Sequence, residues 1–278
     1  MGSAVGARMV QHGAEVMTCL VGRSDRTKGL AADAGLTDTP DYQTFVSACD
    51  LVISIMVPSE ALGAAQLVAG AIGSTKKPLP YTDCNAVAPS TANTIADKIR
   101  EAGGVAIDAG IIGGPPRGES LNTRIYASGP DTDPFNRLND FGIDVRVIGS
   151  EIGQASGLKM CYAASTKGTS ALMLELLIAA KRLNLYDALI EEFGLSQEAR
   201  LKSLNGLMGV PPTSRRWIGE MEEIAKTFDD VGLTPDMFTG AAAIFTHVGS
   251  SKLADETPEN RDQDRTLDDL VAALSEQT

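Results

Sequence analysis

The sequence predicts an α/β domain built on a doubly wound sheet, followed by an all-α domain. Three observations carry this. Apolar runs with strand character alternate with helical patterns over the first 150 residues, the order of repeated βαβ units. After Gly149 no further strand pattern occurs. Between the two halves, residues 153–183 read GQASGLKMCYAASTKGTSALMLELLIAAKRL, a proline-free run of helix formers. The domains are therefore placed at residues 1–150 and 151–278.

A short helical pattern follows directly after Met1, with Met9 and Val10 apolar and Gly13 as its stop. Residues 15–21 read as a buried strand that ends in Gly22-Arg23-Ser24. A helix follows near residues 27–34. Residues 49–58, CDLVISIMVP, form the clearest strand of the chain. A continuous apolar run stopped by proline is what a parallel strand covered on both faces requires. Helices at 60–71 and 88–102 then alternate with strands at 79–83 and 104–108, and two more strands fall at 124–128 and 144–148. In the second half, helices are expected at 153–183, 185–193 and 196–208. After the Pro211-Pro212 break come 214–231 and a helix opened by Thr234-Pro235. A weak helix at 267–275 lies in the acidic tail.

The helix at 153–183 is too apolar around its circumference for an ordinary surface helix, so burial on several faces is expected. Its length, ~40 Å, suffices to cross from one domain into the other. Lys159 near its first turns then falls at a domain junction, a common place for small-molecule sites. The competing reading is a core helix whose lysine points to solvent.

Composition narrows the function. With 278 residues and 43% hydrophobic content, the chain can bury the core of one large or two ordinary domains. A net charge of -12 and a pI near 4.6 argue against general nucleic-acid binding, which needs a basic footprint. An anionic ligand must be held by local positive charge. Cys19, Cys49, Cys84 and Cys161 form no C-x-x-C pair, and with two histidines no metal site is expected. Reduced thiols fit a cytoplasmic protein. No signal peptide and no membrane-spanning apolar run is evident, so the expected partner is a small molecule.

Ligands of an open α/β sheet sit beyond the carboxyl ends of its strands. Met1-Gly2 has the form of the tail of a G-x-G-x-x-G turn, with Gly2 as the glycine that lets helix and strand pack closely. On that reading the first strand and two glycines lie ahead of Met1. The other reading is that Gly2 is an isolated glycine without meaning. Arg23-Ser24 stands where a carboxylate would bind the ribose of NAD, which favours NADP and leaves NAD possible. A solvated basic loop remains the alternative. Gly113-Gly114 offers backbone N–H groups to an anion, or is simply a glycine-rich turn.

The order of these segments resembles the β-hydroxyacid dehydrogenases, the group containing 3-hydroxyisobutyrate and 6-phosphogluconate dehydrogenases. It comprises strand–helix alternation, an Asp108-x-x-x-x-Gly113-Gly114 loop, and Gly153-x-x-x-x-x-Lys159 on a long helix. Lys159-Met160-Cys161-Tyr162-Ala163 and the segment from Arg216 to Glu223 point to a 6-phosphogluconate-dehydrogenase-like subgroup with a helical C-terminal domain. The resemblance implies a Rossmann-type first domain lacking its first strand, a helical second domain for substrate and dimerisation, and a homodimer. It makes Lys159 the catalytic lysine, and Gly113 and Gly114 the binders of a substrate carboxylate. Gly2, Arg23, Ser24, Val57, Pro58 and Asn85 become cofactor-binding positions. Trp217 and Glu220 are candidates for the pocket wall from the helical domain. Tyr162, one turn after the lysine, either shares proton transfer or is a core tyrosine.

Departures from the pattern are informative. Ile112 replaces the usual serine before the paired glycines, Ala163 replaces an asparagine, and Tyr162 replaces the histidine of the 6-phosphogluconate enzymes. A more apolar pocket is therefore expected, for neither 6-phosphogluconate nor plain 3-hydroxyisobutyrate. The reaction implied is reversible hydride transfer between a nicotinamide and a hydroxy acid or related carbonyl, with Lys159 as general acid–base. Free lysine, pKa ~10.4, is a poor base at neutral pH, and burial would lower it. The alternatives are an imine-reductase-like enzyme and a non-catalytic nucleotide-binding or oligomerisation protein.

Overall fold

The computed structural model describes residues 1–118, 122–257 and 260–277. It divides into two compact units, Met1–Met160 and Cys161–Thr278. The division falls ten residues beyond the composition break at 150, because the first turns of the long helix pack on the sheet of the first unit.

The first unit runs α1 (Gly2–Gln11), β1 (Met17–Cys19), α2 (Asp25–Asp33), β2 (Thr37–Thr39), α3 (Tyr42–Ala48), β3 (Val52–Ser54) and α4 (Pro58–Thr75). It continues with β4 (Pro80–Asp83), α5 (Pro89–Glu101), β5 (Val105–Ile112), β6 (Arg124–Ser128), α6 (Asp133–Asn136), a 3-10 turn at Arg137–Phe141 and β7 (Asp144–Gly149). The long helix α7 spans Gln154–Arg182. Pro58 and Pro89 each open a helix, at the position where a missing N–H costs nothing.

The strands form two sheets. β1 pairs with β2 alone, while β3-β4-β5-β6-β7 makes the main sheet. Pairing is parallel except between β5 and β6. Alternate residues of β5 enter opposite cores. Ala106 joins a cluster with Val52, Ile72 and Ile95, whereas Ile107, Ala109 and Ile111 join one with Val5, Ile125 and Phe135. Both faces of the sheet are thus covered, as the apolar runs require.

Three differences from the sequence reading have physical causes. β1 and β3 pair over only three residues each, although apolar runs of seven or more were expected, because each has a partner strand on one side only. β2 escapes notice because its sequence, Thr-Asp-Thr, carries no apolar signal. β5 continues through Ile112, so the expected loop after Asp108 is in fact strand.

The second unit holds α8 (Tyr186–Ser196), α9 (Glu198–Ser203), α10 (Pro211–Asp230), α11 (Asp236–Gly249) and α12 (Leu267–Ser275) after the remainder of α7. Its described residues contain helices and 3-10 turns only. α10 and α11 pack closely, with Trp217 edge-on to Phe245. α7 is not buried on several faces: Tyr162, Thr166, Thr169 and Leu172 are exposed along one side. Most of its alanines, such as Ala155, Ala163, Ala164, Ala171 and Ala180, lie on the buried side. No helix among the described residues is long and apolar enough to cross a membrane.

Candidate functional site

The site is organised where β5 and β6 meet the start of α7. Asp108 on β5 lies opposite Ser128 on β6 in the sheet register. The Asp108 side chain is buried, with 1% exposure. Its Oδ2 accepts hydrogen bonds from the backbone N–H groups of Gly153 and Ser156, each at 2.9 Å. The Ser156 hydroxyl donates to Oδ1 at 2.5 Å, and the Ser128 hydroxyl donates to Oδ2 at 3.3 Å. Ser128 Oγ in turn accepts from Ala155 N–H at 3.0 Å. Two neighbouring strands therefore supply the acceptors for the unpaired N–H groups at the start of α7, and the carboxylate sits at the positive end of the helix dipole. Burial nonetheless raises the Asp108 carboxyl above its ordinary value, against the lowering effect of these hydrogen bonds.

One turn further along α7, Lys159 packs directly on the strand. A Cβ added to Gly110 would stand 2.7 Å from Lys159 Cβ and 2.8 Å from Ala155 O. Only glycine lets helix and strand come this close. Asp108 and Gly110 are two residues apart, so they share one face of β5. Gly113 lies three residues on from Gly110, ~10 Å along an extended strand. It turns the chain with φ +112, and a Cβ there would sit 2.0 Å from Asn122 O. Gly114 meets no such obstacle, and its carbonyl accepts from the Thr123 hydroxyl. Both glycines are exposed.

The expected cofactor positions occupy neighbouring strand ends. Gly2 opens α1 against β3, where an added Cβ would lie 3.5 Å from Ile55 O, an ordinary contact. The close-packed glycine of α1 is instead Gly6, whose Cβ would meet Leu36 Cδ1 at 2.9 Å. Arg23 is half-buried beyond the end of β1, and Ser24 caps α2 by accepting from Thr27 N–H at 3.3 Å. Val57 is exposed at the head of α4, and Pro58 is its first residue. Asn85, 2% exposed, is a tie between strand ends. Its Oδ1 accepts from Met56 N–H at 2.5 Å, and its Nδ2 donates to Ser54 Oγ at 2.9 Å and Asp83 Oδ1 at 2.5 Å.

The remaining candidates lie in the second unit. Tyr162 is 45% exposed and is not a core tyrosine. Glu220, 6% exposed, is engaged by Lys167 and, at 3.4 Å, by Arg216. Lys167 Nζ also lies 5.4 Å from the centre of the Trp217 ring. This cluster ties α7 to α10, which accounts for the buried charge through pairing. His247 shares a hydrogen with the Leu274 carbonyl at 2.8 Å and links α11 to α12. All four cysteines are free thiols, and burial pushes the Cys84 thiol well up, which makes it unreactive. Asp108, Ser128, Ser156 and Gly110 are the residues whose roles the sequence reading missed. The signal was available as an Asp-x-Gly on β5.

The fold and the strand-end arrangement define an NAD-binding, Rossmann-type domain followed by a helical one. Residues 1–140 match the family described as the NAD binding domain of 6-phosphogluconate dehydrogenase, and the chain belongs to that family. Residues 180–248 match a domain of unknown function. A 28.5 kDa uncharacterised protein of Methanothermus fervidus is 34% identical over 236 residues, covering 84% of this chain and 90% of its own. A solved protein of unknown function, described as structurally similar to 3-hydroxyacid dehydrogenases, is 33% identical with TM-score 0.65, covering 88% of this chain and 92% of that one. The 3-hydroxyisobutyrate dehydrogenase of Mycobacterium tuberculosis has the same fold at 15% identity, with TM-score 0.69 and coverage of 99% and 95%.

Asp108→Ala would leave the Gly153, Ser156 and Ser128 donors without their shared acceptor. We expect a loss of ~2–4 kcal/mol, the range for breaking a buried network, measured by urea unfolding. The raised carboxyl adds a pH effect. Its contribution is fully present below the unfolded pKa, ~3.9, and is lost as pH rises through the higher folded value. Above pH ~4, wild-type stability should therefore fall with pH more steeply than that of Asp108→Asn.

Proposed function

We propose that this protein is an NADP-dependent oxidoreductase that interconverts a hydroxy acid, or a related carbinol, and its carbonyl form, with Lys159 as general acid–base. The observation that carries the proposal is the seating of Lys159 on Gly110, on the strand that leads to the Gly113-Gly114 turn. Lys159 is seated there one turn after the capped helix start, and the same strand runs on to the exposed glycine pair.

The residues at the strand ends suit a dinucleotide. α1 opens at Gly2 beside the end of β3, and a helix N-terminus favours anions. Arg23 follows β1 at the place where a 2′-phosphate needs a cation. Val57 presents an apolar surface at the head of α4, suited to a flat ring. Asn85 holds the ends of β3 and β4 in place. When bound, the cofactor supplies or accepts the hydride.

The chain's own groups then manage the proton and the substrate. In oxidation the Lys159 amine takes the hydroxyl proton. In reduction its ammonium returns a proton to the carbonyl oxygen. The exposed backbone at Gly113 and Gly114 is suited to a substrate carboxylate. Ile112 offers no hydroxyl there, and Pro115 and Pro116 have no N–H. The substrate is therefore expected to be less polar around that carboxylate than a sugar acid.

Lys159→Met should lower turnover at least ~100-fold while leaving NADPH affinity, read by fluorescence titration, nearly unchanged. A variant with near-normal turnover removes Lys159 from the chemistry. A panel of hydroxy acids, aldehydes, ketones and cyclic imines supplies the substrate, and turnover confined to the imines would overturn the carbonyl assignment. Arg23→Ala should weaken NADPH binding at least ~10-fold, the scale of one charge-assisted hydrogen bond, and leave NADH binding unaltered. Equal losses for the two would contradict the NADP preference.

A further inference from the structure

The sheet register brings one cation, Arg124, to the Gly113-Gly114 turn. Arg124 opens β6 and lies directly opposite Ile112, the residue before the paired glycines. Residues directly opposite in an antiparallel pair project from the same face. The same register sets Tyr126 against Gly110 and Ser128 against Asp108. Arg124 therefore stands on the face of the sheet that carries Asp108 and receives Lys159 at Gly110. The turn itself packs on the residues just ahead of Arg124: a Cβ on Gly113 would meet Asn122 O at 2.0 Å and Thr123 Cα at 3.1 Å. From Gly110 to Arg124 is two residues along β5, ~7 Å, and one strand across, ~5 Å. Two long side chains, Lys159 and Arg124, can close on one small molecule over that span.

Arg124 is half-buried, and its guanidinium has no hydrogen bond or ion pair among the described residues. The charges around it are engaged elsewhere. Asp144, opposite it on β7, is held by Arg146, Nε to Oδ1 at 3.0 Å and Nη2 to Oδ2 at 2.9 Å. Arg8 reaches the same turn but donates to the carbonyl oxygens of Gly142 and Gly118. A charge partly withdrawn from water without a partner costs free energy, and an arriving anion recovers it. The neighbour across the ladder, Ile112, is 4% exposed and apolar, which strengthens a charge-assisted bond beside it. A protein of net charge -12 needs a local cation of this kind to hold an anion at all.

We propose that Arg124 is the residue that binds the substrate carboxylate, its planar fork meeting both oxygens, with the carbinol end of the substrate toward Lys159. The assignment rests on the reading of this protein as a hydroxy-acid oxidoreductase and deepens it. Ile112 gives the carboxylate no hydroxyl, and Arg124 across the ladder supplies the donors instead. Neutral analogues are then rejected, because they leave the guanidinium unpaired. The anion is that of the substrate and not of the dinucleotide: β6 lies on the far side of β5 from β3 and β4, whose ends suit the cofactor.

The test is an NMR titration of the isotope-labelled 278-residue protein, without cofactor, read at the amides of Gly113, Gly114 and Arg124. The probes are glycolate and 3-hydroxypropionate, their neutral amides, and inorganic phosphate. Both acids should shift these signals saturably, and the amides should not. Arg124→Gln should weaken the acids at least ~10-fold, the scale of one charge-assisted hydrogen bond. Arg124→Lys keeps the charge without the fork and should fall between. Arg117→Gln removes the same charge from an exposed position nearby and should weaken them less than ~2-fold, since exposed charges are screened. Failure of both acids to bind the wild type overturns the proposal, as does equal affinity for wild type and Arg124→Gln. Equal losses in Arg117→Gln and Arg124→Gln reduce the contact to general attraction and overturn it too. Phosphate binding tighter than either acid contradicts the choice of a carboxylate. A fall in Tm shared by Arg124→Gln and Arg124→Lys gives the residue a structural role and has the same effect. No turnover enters the measurement. A failed titration leaves the Lys159 assignment standing, and an inactive protein can still bind the acids through Arg124.

Discussion

The interaction on which the rest depends is the Asp108 carboxylate at the start of α7. A long helix preceded by Gly153 has no side chain at its cap position, and its first N–H groups must find acceptors elsewhere. Here they find them on the sheet: Asp108 takes Gly153 and Ser156, and Ser128 takes Ala155. This fixes both the position and the rotation of the helix on β5. The rotation decides which residue faces the strand one turn later, and that residue is Lys159. Gly110 completes the arrangement by removing the side chain that would hold the helix away.

The arrangement carries a cost. A carboxylate so thoroughly buried has its pKa raised in spite of its hydrogen bonds, so desolvation outweighs capping in its charge balance. Glu220, buried as Asp83 and Asp108 are, is paired differently from Asp108. Glu220 is met by two cations, Lys167 and Arg216, and that cluster holds helices of the second unit together. Asp108 is thus satisfied by backbone N–H groups and hydroxyls, Glu220 by opposite charge. The first is the one beside the proposed reacting centre.

Much of this was legible in the sequence because it rests on periodicity and on residue types with few uses. Proline at the heads of α4 and α5, the apolar runs of β3 and β4, and the unbroken run of α7 all announce themselves. Lys159 stands out because it is the first charged residue in an apolar helix. The parts that were not legible depend on pairing across distance. Nothing local reveals that Ser128 lies opposite Asp108, or that Asn85 spends its amide on Met56, Ser54 and Asp83. β2 is set by its neighbour, not by its own Thr-Asp-Thr. The exposed side of α7 was misread because it carries Leu158, Tyr162 and Leu172, which count as apolar in a sequence. The shortness of β1 and β3 likewise reflects pairing on one side only and not their own residues.

The central claim is that Asp108 acts on chemistry only through the placement of Lys159. A double-mutant cycle with Asp108→Asn and Lys159→Met, read as turnover on the best substrate at fixed pH, tests this most directly. The account predicts strong coupling: Asp108→Asn lowers turnover in the wild-type background and has almost no further effect once Lys159 is methionine. Fully additive losses, with Asp108→Asn costing the same factor in both backgrounds, would contradict it.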